Sequence, residues 1–131
     1  MNIVSGRPPN FEKIAAVFPA ARRPGVVFTY GETVYVTGDA VLPVQLEVHE
    51  GVHIEQQKLI GRDVWWDRYL ANGRFRFQEE LTAHRAEYRA LCKISKSLGK
   101  KHLYFIADRL SSPLYGGVCT LKQARKAIAA P

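Results

Sequence analysis

"LPVQLEVHEGVHIEQQKL", residues 42 to 59, decides the fold of this chain. It contains one proline, Pro43, where a first helical turn accepts it, and one glycine, Gly51. Val44, Val48, Val52 and Leu59 recur on one side of a helical period, so the stretch predicts a helix with those residues as its packed face. On that helix His49 and His53 are four residues apart and project in one direction, while Glu50 lies roughly 100° around from His49. Two imidazoles converging in this way suit one tetrahedral ion, and Glu50 falls beside it, where a general base for an activated water belongs.

Two protein ligands do not complete a catalytic zinc site; a third is needed, with the fourth position left for water. The metzincin solution fails, because the position for a third histidine is Leu59 and the glycine of that pattern is replaced by Gln56. "RFQEELTAHRAEYRALCKISKSLG", residues 76 to 99, predicts the longest helix, closed by Gly99 as a C-cap. Helical rotation gathers Phe77, Glu80, His84, Glu87, Leu91, Ile94 and Leu98 into one stripe and turns Glu79 away from it. An inward carboxylate is costly unless it is paired or bound to metal, which makes Glu80 the candidate third ligand. Glu79, His84 and Glu87 stand as alternatives, His84 giving a three-histidine site.

Upstream, "NFEKIAAVF" (10 to 18) predicts a short helix capped by Asn10 and ended by Pro19, and "GVVFTYGETVYVTG" (25 to 38) predicts a hairpin of strands 26 to 30 and 33 to 37 about Gly31. "GRDVWWDRYLANGRFRF" (61 to 77) reads as a short helix and a connection turning at Asn72-Gly73, with Trp65, Trp66 and Tyr69 as core. Downstream, "KHLYFIADRL" predicts a further helix, "SSPLYGG" a loop, and "TLKQARKAIAA" a closing helix capped by Thr120. The fold class is α+β: a small antiparallel hairpin or sheet packed on a helical bundle, in one domain spanning residues 1 to 131.

The chain carries 19 Lys and Arg against 12 Asp and Glu, a net charge of +7, which attracts polyanions without choosing among them. The basic residues gather in Arg22-Arg23, in 62 to 76, in 93 to 101 and in 122 to 126, a scatter that weighs against one dedicated nucleic-acid stripe. No charged leader with an apolar core opens the sequence and no long apolar run follows, so the expectation is a cytoplasmic protein without a membrane span. Cys92 and Cys119 are too few and too far apart for a zinc ribbon or a redox pair, and read as free thiols.

With "HEGVH" (49 to 53) and "EELTAH" (79 to 84) in place, the sequence resembles the gluzincin branch of the zinc metallopeptidases, in which a motif helix is followed by a glutamate helix. In particular "VHEGVHIEQQ" with "FRFQEELTAHRAEY" is similar to small metallopeptidases encoded in phages, over roughly residues 28 to 116. The resemblance implies a minimal zincin-like domain in which His49, His53 and Glu80 hold Zn2+ and Glu50 activates the water. It also implies that the hairpin lends an edge strand to an extended peptide or protein substrate; the basic surface would suit a cell-wall peptide as one variant. His84, Tyr88, His102 and Tyr115 are the candidates for a second donor to the developing oxyanion. The alternative is a basic binding or assembly protein, nucleic-acid- or virion-associated, with a structural or vestigial metal site.

Overall fold

The computed structural model describes residues 1 to 38 and 41 to 131. Strand β1 (Asn2–Ser5) is followed by helix α1 (Phe11–Val17), a 3-10 turn at Pro19–Arg22, and strands β2 (Val27–Tyr30) and β3 (Thr33–Val36). Five helices then run in succession: α2 (Val44–Ile60), α3 (Arg62–Ala71), α4 (Gly73–Ile94), α5 (Lys96–Leu110) and α6 (Leu121–Ala129), with a second 3-10 turn at Pro113–Tyr115. The class is α+β and dominated by helix, as the sequence predicts. No helix among the described residues is long and apolar enough to cross a membrane.

The hairpin forms where β-branched and aromatic residues alternate about a glycine. Gly31 opens the two-residue turn at a φ of 65°, a conformation glycine adopts without a Cβ penalty. β2 and β3 are antiparallel, pairing Val27 with Val36 and Tyr30 with Thr33. The sequence reading missed β1, which adds to β3 in parallel register, Asn2 opposite Thr33, giving the order β1-β3-β2. Its four residues are exposed and carry no burial alternation to signal a strand.

Besides a small cluster of Val34, Val36 and Ile54 between sheet and α2, two larger apolar clusters form the core. One joins Phe11, Phe18, Phe28, Trp65, Trp66 and Tyr69, so the Trp pair and Tyr69 are core as expected; the other joins Leu91, Ile106, Leu110, Ala124 and Ile128 across α4, α5 and α6. Asn72 is the one residue between α3 and α4, and its side chain accepts from the Phe75 amide, so the expected connection shrinks to an N-cap. α6 begins with a full capping box of Thr120 and Gln123.

Two expectations are overturned. The predicted packed face of the motif helix points outward: Val44 is 56% and Leu59 85% exposed, while His49, Glu50, His53, Ile54 and Gln57 form the buried face. The polar residues turn inward because the hairpin and α4 supply a partner for each of them, as shown below. Nor does Gly99 end the long helix. The chain turns at Ser95, whose hydroxyl caps α5, and Gly99 sits buried within α5 at the crossing with Cys92 of α4. Ile94 is consequently 62% exposed rather than part of the inward stripe.

Candidate metal centre

α2 and α4 pack along their length, and each brings a run of polar residues to the contact. From α2 come His49, Glu50 and His53; from α4 come Glu80, His84 and Glu87; all six are buried. Their spacings, four residues between the histidines and three or four between the α4 residues, keep each set on one side of its helix.

His49 Nε2 and His53 Nε2 are 3.2 Å apart, and Glu80 Oε2 lies 3.4 Å from the first and 3.3 Å from the second. Metal–ligand bonds of about 2.0 to 2.2 Å at the tetrahedral angle separate ligand atoms by roughly 3.3 to 3.6 Å, so three donors stand close to the spacing one zinc-sized ion requires. Glu80 Oε2 is also buried without a hydrogen-bond partner among the described residues, as is His84 Nε2. A buried carboxylate oxygen facing two imidazole nitrogens calls for positive charge at that point, which a metal ion between them or a proton on one ring supplies. The donors fit a metal.

The surrounding hydrogen bonds fix which nitrogen of each ring faces that point. Gln56 donates through Nε2 to the Glu79 carbonyl, so its Oε1 accepts from His53 Nδ1 at 2.8 Å. Glu87 Oε1 accepts from His49 Nδ1 at 3.1 Å and from His84 Nδ1 at 3.3 Å, and its other oxygen pairs with Arg109. With the protons on Nδ1, the Nε2 lone pairs of His49 and His53 are left for an ion. Tyr69 donates its hydroxyl to Glu80 Oε1 at 2.7 Å, leaving Oε2 for the same point.

Glu50 stands outside this triad. Thr29 Oγ1 donates to Glu50 Oε2 at 2.6 Å, and the Thr29 carbonyl accepts from Gln57 Nε2 at 2.9 Å and Trp66 Nε1 at 3.1 Å. The carboxylate beside the triad is thus anchored by β2, which α2 and α3 hold in turn.

The charges are strongly coupled. Burial opposes protonation of His49, but the carboxylates of Glu80, Glu87 and Glu50 outweigh it and hold the imidazole up to about 10 when no metal competes. Burial works against His53 in the same way and is overcome chiefly by Glu80. For Glu80, desolvation is outweighed by His53 and His49, and its carboxyl is held well below the usual range. Burial pushes His84 down to about 4, with His49 adding to the fall, so His84 is neutral where His49 is charged.

The other sequence candidates divide clearly. Tyr115 is buried, its ring 5.7 Å from that of His84, and its carbonyl accepts from Arg76 Nε at 2.7 Å, which ties the 113 to 115 turn to α4. Tyr88 packs against the second apolar cluster, and His102 lies on α5 beside Phe105; among the described residues, neither lines the two cavities next to the triad. Glu79 instead accepts from Trp65 Nε1 at 2.8 Å. Sequence reasoning missed Thr29, Tyr69 and Arg109 as partners of the site. Their only signal was a polar group in an apolar element, and neither rotation nor spacing assigns such a group its partner.

A cavity of about 60 Å³ touches His49, Glu50, His53 and Glu80, with Thr29, Tyr69 and Tyr115 in its wall. That is room for about two waters and no peptide. A larger cleft of about 280 Å³ shares His49, Glu50 and Tyr115 with it and is bordered by Arg23, Gly25, Val27 and Arg109. The hairpin does present β2 at the sheet edge, but the Thr29 carbonyl is already taken by Gln57 and Trp66, and of β2 Val27 borders the cleft together with residues 23 to 26 before it.

Comparison of the chain with protein families, curated sequences and solved structures yields no match.

Proposed function

We propose that this protein is a zinc-dependent hydrolase of peptide bonds, with His49, His53 and Glu80 as the metal ligands and Glu50 as the general base. The observation that carries the reading is the convergence of two Nε2 atoms and one unpartnered carboxylate oxygen at 3.2 to 3.4 Å, with a separately anchored glutamate beside them. Two histidines and one carboxylate would leave the fourth position of a tetrahedral ion for water, as catalytic rather than structural zinc sites do.

When bound, zinc supplies Lewis acidity toward a substrate carbonyl and acidifies a coordinated water. Glu50 takes the proton of the attacking water and returns it to the leaving amine, held in register by Thr29. Glu87 keeps the His49 proton on Nδ1 and orients the ring, and Tyr69 does the same for Glu80. The substrate lies in the larger cleft, along residues 25 to 27, with its scissile carbonyl at the rim formed by His49 and Glu50. The small inner cavity keeps space only for water.

The test is elemental analysis of protein purified without added metal, followed by a screen with internally quenched peptides. One zinc per chain is expected, lost in His49→Ala and Glu80→Ala and kept in Glu50→Gln, with peptide cleavage abolished in all three. A protein that takes up no metal, or cleavage that survives Glu50→Gln, overturns the reading.

A further inference from the structure

Charge is unevenly distributed along this chain. Residues 1 to 87 carry ten Lys and Arg against eleven Asp and Glu, whereas residues 88 to 131 carry nine against Asp108 alone. The protein's positive excess therefore resides at the end of α4 and on α5 and α6. Asymmetry of this size points to a polyanionic partner for one part of the surface.

Packing joins what the sequence separates. α5 and α6 lie against each other through Ala107, Leu110, Ala124 and Ile128, which leaves Lys96, Lys100 and Lys101 exposed on one helix and Lys122, Arg125 and Lys126 exposed on the other. A groove of about 390 Å³ runs between them, floored by Leu103 and Leu121. Among the described residues no carboxylate pairs with any of these six cations; the ion pairs of Lys and Arg involve Arg22, Lys58, Arg62 and Arg109. The scatter that weighed against a nucleic-acid stripe is thus, for its last two clusters, one continuous face.

Two aromatic rings stand on α5 beyond the groove, roughly 100° and 160° around the helix from Leu103. Tyr104 is 50% and Phe105 59% exposed, with ring centroids 5.7 Å apart at 83°. Rotation of 100° per residue sets Lys101 between them around the helix, with the exposed Asp108 beside it as the one carboxylate of this part of the chain. Helices that lie in a membrane interface segregate apolar residues from charged ones, whereas here rings and cations interleave on one side. Interleaving suits a strand whose bases are free to stack while its phosphates meet lysines; a duplex hides its base faces.

We propose that the α5–α6 face binds single-stranded nucleic acid without regard to sequence, the phosphates lying on the lysines and arginine and bases stacking on Tyr104 and Phe105. This surface is separate from the triad and does not depend on the hydrolase reading.

The test is fluorescence anisotropy with a labelled oligothymidylate of about twenty nucleotides and a duplex of the same length, alongside sedimentation with phosphatidylserine vesicles. Binding should favour the single strand and fall on the order of 100-fold between about 50 and 200 mM salt, the slope expected of about five phosphate contacts. Tyr104→Ala and Phe105→Ala should each cost about tenfold on the single strand and leave duplex binding unchanged, and Phe105→Tyr should retain binding. Lys100→Glu with Lys101→Glu should flatten the salt dependence. All these residues are exposed, so the fold survives the changes. Failure to bind the oligonucleotide, indifference to loss of both rings, or binding to vesicles alone overturns the proposal.

Discussion

Glu87 Oε1 lies 3.1 Å from Nδ1 of His49, so a residue outside the His49–His53–Glu80 triad sets the tautomer of a residue within it. Its other oxygen is bound to Arg109, and the carboxylate cannot swing away. Glu87→Gln keeps the shape but replaces one acceptor oxygen by a donor. Zinc affinity should fall by about 10- to 100-fold, the usual effect of losing such a partner, as read by competition with a zinc-binding dye. Unchanged affinity would show that His49 needs no orienting carboxylate.

The Thr29 hydroxyl performs the equivalent service for Glu50. Thr29→Val preserves the β-branched shape a strand favours and removes the 2.6 Å hydrogen bond. Zinc content should stay at the wild-type level while kcat falls on the order of 100-fold, because a base displaced by even about 1 Å loses that much. A variant that loses zinc together with activity would make Thr29 a structural rather than a positioning residue.

The metal-free protein should have its stability maximum near neutral pH. His49 is raised from 6.5 to about 10, so its contribution is complete below about 6.5 and is lost as pH rises toward 10. His84 is lowered from 6.5 to about 4, so its neutral form contributes above about 6.5 and is lost as pH falls toward 4. Glu80, held well below its usual range, extends the acid loss to lower pH. Urea midpoints measured in a chelator from pH 4 to 10 should peak between these limbs. A flat alkaline limb would contradict the coupling of His49 to its carboxylates.

Gly99 permits the close crossing of α4 and α5. A Cβ there would stand 2.3 Å from Cys92 Sγ and 3.3 Å from the Cys92 backbone. Gly99→Ala should cost about 1 to 3 kcal/mol despite alanine's better helix propensity, as overpacked crossings do. In a Cys92→Ala background, which removes the sulfur, the cost should shrink. Equal cost in both backgrounds, by chemical denaturation, would place the conflict at the backbone alone.

What the sequence determined by itself was local. The HExxH spacing needs only one helical turn, the hairpin only its Gly31 turn and alternation, and the start of α6 only Thr120 and Gln123, so each was legible from a few adjacent residues. The convergence of Glu80 with His49 and His53 was legible at one remove, because helix rotation fixes which residues of α4 share a face.

The tertiary structure alone decided which face of α2 turns inward. Val44, Val48 and Leu59 form a regular apolar row, yet it is the row of His49, Glu50, His53 and Gln57 that is buried. Thr29, Gln56, Glu80 and Glu87 supply those residues with hydrogen bonds or opposite charge. A buried polar group is tolerated when its partner is present, and partners drawn from β2 and α4 have no expression in the period of α2. The same holds for Gly99, a helix end by local rules and a helix crossing by virtue of Cys92, and for the two basic clusters that only the packing of α5 on α6 makes into one face.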